Sequence, residues 1–216
     1  LGADGALRDH GSGGFVVAML PTGAGGVRSS QWTSEERLLV DWHPPDAPVR
    51  STYTASSVMD LHRRDGREVR LHAAGYLTQD DGARRIGQVD HVAYAMAPVT
   101  DGWLVGGSDT TWLAADGTQT PSDPLSGSFA NLQSNDRDQV AGVTAAHDVL
   151  VYDLPARQLV ASLPTEGDGV RPGLALDGDV LVVAHGDVLR GWRLPGLTAT
   201  SIPWKVAQER PDGGAR

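Results

Sequence analysis

The sequence predicts an all-β fold of short antiparallel strands, on three observations. The apolar residues come in bursts, nearly all four to eight residues long, separated by turn formers. Glycine (27) and proline (13) together make up nearly one residue in five of the 216. That density leaves little room for helices, since glycine costs about 1 kcal/mol and proline about 3 kcal/mol inside one. The third observation is a strand–turn–strand unit that recurs at a period of 39 residues.

Taken in order, the first bursts are Phe15–Leu20, Val27–Trp32, Leu38–Trp42, Val49–Ala55, Val58–His62 and Glu68–Ala74. Then come Val92–Ala97, Trp103–Gly107, Thr110–Ala115, Phe129–Gln133, Val140–Ala145 and Val149–Leu154. Leu159–Leu163, Val180–His185, Val188–Leu194 and Thr198–Ile202 complete the series. They are rich in Val, Leu, Trp, Tyr and Thr and are bounded by Gly, Pro, Asp or Ser, which is the signature of strands. The best helical candidate, Thr33–Leu39 with its Ser34-Glu35-Glu36 start, is too short to form a stable helix.

The repeat selects among all-β architectures. Asp109, Asp148 and Asp187 fall in register 39 residues apart, each between an apolar strand and a following strand. The upstream strands are Trp103-Leu104-Val105, Val140-Ala141-Gly142-Val143 and Val180-Leu181-Val182-Val183. Downstream of the next strand come the turns Ala115-Asp116-Gly117, Leu154-Pro155-Ala156 and Leu194-Pro195-Gly196, then a fourth segment such as Gln158–Leu163. Each unit is a meander of about four strands, close to the roughly 40–45 residues of a propeller blade. A sandwich or jelly roll predicts no such register. The reading is a β-propeller of four-stranded antiparallel blades.

Gly107-Ser108-Asp109-Thr110-Thr111-Trp112 and Val149-Leu150-Val151-Tyr152-Asp153-Leu154 resemble blades of the WD40, YVTN and quinoprotein-like β-propeller superfamily. The resemblance covers about residues 86–203. It implies that Asp109, Asp148 and Asp187 close the hairpins between second and third strands, and that Tyr152-Asp153 ends a third strand. No blade carries the full Gly-His…Trp-Asp signature, so a degenerate relative fits better than WD40 proper.

The clearest blades are read at about 86–122, 127–163 and 171–203, within a propeller domain at 14–208. Residues 1–13 and 209–216 are expected to be flexible. Leu38–Ala74 supplies a fourth unit, with Asp65-Gly66 as a third-to-fourth-strand turn and Gln79–Arg85 as an insertion. Phe15–Trp32 supplies only half of a fifth. A ring must close to remove its edges. Either Trp204-Lys205-Val206-Ala207-Gln208 completes the N-terminal half-blade, or other chain segments complete an incomplete part of a larger ring.

Composition bounds the function. A hydrophobic share of 40% suits a packed core, and no apolar run approaches the roughly 20 residues of a membrane-spanning helix. A net charge of -9 argues against nucleic acid as main partner. The absence of cysteine excludes disulfides, thiolate zinc sites and a cysteine nucleophile. Leu1 suggests a processed chain or a piece of something longer, and the single lysine, Lys205, beside abundant arginine suggests a bacterial source. An extracytoplasmic compartment is expected over a cytoplasmic one.

Three pieces of apparent chemistry recede on inspection. Pro21–Ser30 follows a strand and is Gly-rich, but Val27-Arg28 stands where a phosphate loop needs Gly-Lys. Thr144–His147 with Gly11–Gly14 resembles trypsin-like protease segments in the wrong order. Of seven histidines, His147 and His185 occupy similar places in neighbouring units, the one constellation that could form a site at the channel mouth. A catalytic zinc usually takes three protein ligands, and this pair supplies two. Asp109, Asp148 and Asp187 are expected to be structural hairpin residues. Trp103, Trp112 and Trp192 are expected in the core, and Trp32, Trp42 and Trp204 are candidate contact residues.

The leading expectation is a non-catalytic binding or scaffolding propeller with a protein partner and no cofactor. Specificity is assigned to the loops Trp42–Pro48, Gln79–Arg85, Gln119–Gly127 and Pro164–Pro172. The rival is a propeller enzyme of hydrolase or lyase type using His147 and His185. A third reading is an acidic immunity or inhibitor protein.

Overall fold

Short apolar bursts become strands, and the turn formers between them make consecutive strands neighbours. The computed structural model describes residues 15–23, 25–43, 48–52, 57–79, 82–121, 128–135, 137–163, 172–185, 188–194 and 199–205. Every regular element among them is a strand, and none is a helix able to cross a membrane.

Twenty strands form five sheets. Blade 1 holds β1 (Phe15–Gly23), β2 (Gly26–Trp32), β3 (Arg37–Trp42) and β4 (Val49–Thr52). Blade 2 holds β5 (Val58–Arg64), β6 (Arg67–His72), β7 (Tyr76–Gln79) and β8 (Arg84–Gln88). Blade 3 holds β9 (Ala93–Val99), β10 (Gly102–Gly107), β11 (Thr110–Ala114) and β12 (Gln119–Pro121). Blade 4 holds β13 (Phe129–Ser134), β14 (Gln139–Thr144), β15 (Val149–Asp153) and β16 (Gln158–Leu163). Blade 5 holds β17 (Gly173–Asp177), β18 (Val180–His185), β19 (Val188–Arg193) and β20 (Ala199–Lys205). Spatial order follows chain order in every sheet, so each is a meander. The fold is a β-propeller of five four-stranded antiparallel blades.

The third strands β11, β15 and β19 begin at Thr110, Val149 and Val188, which keeps the 39-residue period. A second recurrence lies in the backbone. The N–H groups of Ala115, Leu154 and Leu194, just past those strands, donate to the carbonyls of Asp101, Asp138 and Asp179 at 3.0, 3.1 and 2.7 Å. These three aspartates sit in the turn between first and second strands, so one bond ties the two turns at that end of blades 3, 4 and 5.

The N-terminal half departs from the expected division. Blade 1 has all four strands from residues 15–52, and β20 pairs with β19, so no C-terminal segment is needed to complete a half-blade. Leu38–Ala74 is divided between blades 1 and 2. Asp65 and Gly66 turn β5 into β6, first strand to second, with φ of 52° and 75°. Gln79–Arg85 is the β7–β8 hairpin rather than an insertion, and residues 84–88 belong to blade 2. The cause is composition. The outer strand Arg84-Arg85-Ile86-Gly87-Gln88 has one exposed edge and a polar sequence, so it does not register as an apolar burst.

The chain divides into two compact units, Leu1–Leu132 and Gln133–Arg216, the division falling within β13. In the first unit the inner strands β1, β5 and β9 adjoin one another. Ala18, Leu20 and Leu39 of blade 1 pack on Val58 and Leu61 of blade 2. The other face of blade 2 gives Val69, Leu71 and Leu77 to a cluster with Met96, Trp103, Val105 and Leu113 of blade 3. In the second unit Ala141, Val143, Val149 and Val151 of blade 4 pack on Leu176, Leu181 and Val183 of blade 5. Each fully buried Leu or Met contributes about 1.5–3 kcal/mol relative to exposure.

Toward the periphery of the first unit the link between blades 1 and 2 turns polar. Arg28 forks onto Asp41, Nε to Oδ1 at 2.5 Å and Nη2 to Oδ2 at 2.6 Å, and donates through Nη1 to Glu68 at 2.7 Å. Arg70 donates to the other Glu68 oxygen at 2.7 Å. Hydrogen bonds from Arg28, with its charge, hold the Asp41 carboxyl below the usual 3.8 despite partial burial. Arg28→Ala removes both hydrogen bonds to Asp41 and leaves Glu68 on Arg70 alone, and urea unfolding is expected to show a loss of about 1–3 kcal/mol, less than for a fully buried pair because Arg28 keeps some exposure. Asp41 supplies stability above the ordinary carboxyl value, lost as pH falls through its depressed folded value. Asp41→Asn is therefore expected to flatten the acid limb of a pH–stability curve.

Candidate functional site

Blade 2 passes to blade 3 through four residues, Val89-Asp90-His91-Val92, at the rim where second strands turn into third strands. Val89 is drawn into the core between the blades and anchors one end. The backbone is laced to hairpins on both sides. Val89 N–H donates to Gly75 carbonyl at 2.8 Å, Ala93 N–H to Ala73 carbonyl at 3.4 Å, and Ser108 N–H to Val92 carbonyl at 3.0 Å.

Two glycines permit this closeness. Gly75 has φ of 81°, and a Cβ there would lie 2.7 Å from the carbonyl oxygens of both Val89 and His91. At Gly107 a Cβ would lie 1.8 Å from the Val92 carbonyl oxygen. Neither position accepts a side chain without moving backbone.

His91 is held by both ring nitrogens. Nδ1 is 3.1 Å from the Val92 carbonyl and Nε2 is 3.2 Å from the Thr111 hydroxyl. A carbonyl only accepts, so the hydrogen-bond network places a proton on Nδ1. The ring is thereby a structural brace for the connection.

Above this frame lies an open groove of about 380 Å³, lined by Ala73, Ala74, Gln88 and the whole Val89–Val92 connection. Asp90 is its one carboxylate. Val92 is 49% exposed and Tyr94, two residues along the same strand direction, is 37% exposed. The groove offers small apolar walls, one negative charge and an amide, a lining suited to accepting side chains from another molecule. It has no nucleophile paired with a base.

The residues expected from the sequence fall elsewhere. Asp109 lies in the β10–β11 hairpin; its carboxylate accepts the Thr110 N–H at 2.7 Å and its carbonyl the Gly107 N–H at 2.9 Å. Asp148 closes the longer β14–β15 hairpin through its carbonyl, which accepts the Thr144 N–H at 2.9 Å. Asp187 lies outside the described residues. His147 sits within that hairpin loop with φ of 69°, whereas His185 is the last residue of β18, paired with Val188. The pair is thus out of step: His147 directly precedes its hairpin aspartate and His185 stands two before. Among the described residues no group of three or more His, Asp or Glu gathers to hold a metal.

Trp103 is buried in the core cluster. Trp192 packs against the cluster of the second unit, and Trp112 is half-buried. Trp32 and Trp42 are half-buried, Trp32 lying under the Arg37 guanidinium at 4.7 Å. Trp204 pairs with Leu189 in β20, and its side chain is outside the described residues. Residues 44–47, 80–81, 122–127 and 164–171 of the four loops expected to carry specificity, and all of residues 1–13 and 209–216, also lie outside them. The groove itself was missed. Its signal in the sequence is faint: a polar Asp90-His91 pair between two valines.

No protein-family model matches the chain, and no curated protein matches it. Solved structures do. The WD40 domain of Pan2 from Neurospora crassa superposes with a TM-score of 0.62 at 12% identity, covering 92% of this chain and 68% of that one. The computationally designed Ika8 protein superposes with a TM-score of 0.56 at 16% identity, covering 82% of this chain. This chain spans 58% of the length of that protein. At these identities the likeness is one of fold.

Gly75→Ala and Gly107→Ala are each expected to reduce stability by about 2 kcal/mol or more through backbone displacement, visible as a lowered thermal midpoint. Solvent-facing Gly117→Ala, where a Cβ meets nothing within 4 Å, has only its φ of 87° to oppose it and is expected to cost about 1 kcal/mol.

Proposed function

We propose that this chain is a non-catalytic β-propeller that binds protein, and that the rim groove of the first unit is one of its contact surfaces. The observation that carries the reading is a preformed groove whose backbone is tied to two neighbouring hairpins, with Val92 exposed in its lining and Tyr94 exposed two residues further on. A rigid frame loses little freedom on binding, and tyrosine is among the side chains enriched at contact hot spots. The propeller likeness adds only an analogy of fold, since propellers host many functions.

Side-by-side capture from native extract tests it. Val92→Asp and Tyr94→Ala are expected to weaken retention of a bound protein about tenfold or more, equivalent to about 1.4 kcal/mol, with thermal midpoints unchanged. Partner retention at the wild-type level by both variants would remove the groove from the contact. A stoichiometric transition metal in the purified protein, lost in a His147→Ala, His185→Ala double variant, would instead support the enzyme reading.

A further inference from the structure

The inner strand of blade 2 carries a titratable pair that the groove does not use. A bulge in β5 between Val58 and Asp60 shifts the register against β6. Bulges of this kind re-aim side chains. Here Val58 and Leu61 pack toward blade 1, while Met59 packs on the cluster shared with blade 3. Asp60 also reaches blade 3: its Oδ2 accepts the Met96 N–H of β9 at 2.8 Å, and its Oδ1 accepts the Leu61 N–H at 2.8 Å. His62, two residues along the same face, places Nε2 3.5 Å from that Oδ2 and meets the Trp103 ring edge-on at 6.4 Å.

The groups around His62 are few. On its own strand they are Asp60 and Arg64, and Arg64 stacks over Trp103 at 5.7 Å and donates to the carbonyls of Gly102 and Thr100. Asp65, fully in solvent, lies 3.9 Å from Arg64. On β6, Val69 stands opposite His62 and Arg67 opposite Arg64. Blade 3 brings Tyr94 on β9, Asp101 in the β9–β10 turn, and no ionisable residue on β10. Arg28, Asp41, Glu68 and Arg70 belong to the blade 1 link on the opposite face. Asp60 is therefore the charge His62 meets directly.

We propose that Asp60 and His62 form a pH-sensitive latch between blades 2 and 3: protonated His62 holds the Asp60 carboxylate on the Met96 N–H, and loss of that proton loosens it. The imidazolium neutralises a carboxylate that is otherwise half-desolvated between two sheets. Neutral His62 removes that compensation and leaves the carboxylate supported by N–H groups alone. Burial opposes the charged ring, but the nearby Asp60 charge and the Met96 backbone outweigh burial and raise His62 above the ordinary 6.5. The folded chain thus holds this proton more tightly than the unfolded chain. The stabilisation is complete below 6.5 and is lost as pH rises through the folded value. The latch lies beneath β9, two residues beyond Tyr94, and operates whether or not the groove binds a partner.

Hydrogen exchange of the Met96 amide tests it, read as a protection factor so that the intrinsic effect of pH cancels. Protection is expected to fall about tenfold between about pH 6 and about pH 8.5 in the wild type. Asp60→Asn keeps an acceptor oxygen but removes the charge, and its protection factor is expected to be flat across that range. His62→Gln is expected to be flat as well. A flat wild-type profile, or the same fall in either variant, would overturn the latch. If His62→Gln does not fold, the ring proton shifts of His62 in the wild type decide instead: a midpoint above 6.5 supports the proposal and one at or below it overturns it.

Discussion

Burial of both faces of a four-stranded sheet is the constraint on which the described structure depends. No blade can bury its own apolar faces, so its inner strands need a neighbouring blade on each side. Blade 2 shows the consequence most fully. Val58 and Leu61 meet blade 1 across one face, and Val69, Leu71 and Leu77 meet blade 3 across the other. The central strand β10, Gly102-Trp103-Leu104-Val105-Gly106-Gly107, is buried along its whole length. Its reading as a continuous apolar run rather than an alternating one follows from cover on both sides.

Among the described residues, polar side chains enter the layers between blades 1 and 2 and between blades 2 and 3 in two clusters. Between blades 1 and 2 they lie at the periphery, as the Arg28–Asp41–Glu68–Arg70 network, where partial exposure reduces the desolvation cost. Between blades 2 and 3 they lie on the inner strand, where Asp60 takes two backbone N–H groups and the His62 ring faces it. The two faces of blade 2 thus shift their titratable groups in opposite directions, Asp41 downward and His62 upward.

The same closeness of neighbouring blades makes the candidate site. A four-residue connection is short, and lacing Val89, Val92 and Ala93 to the Gly75 and Gly107 hairpins leaves it no independent conformation. A groove with fixed walls results, and the apolar side chains at its margin are those that no blade remains to cover.

The sequence by itself determined the all-β class, the 39-residue period and the blade pattern from Trp103 onward. These are local properties: strands and turns follow from neighbouring residues, and the third strands at Thr110, Val149 and Val188 keep their register. It misdivided residues 15–88, because outer strands such as Arg84–Gln88 are half-solvated and carry no apolar signal. Only the tertiary structure decided that Asp60 meets Met96, that Arg28 reaches Glu68, and that Val92 stays exposed in the groove. Each depends on which face of a strand meets the next blade. A single bulge, as between Val58 and Asp60, is enough to change that face without leaving a mark in composition or period.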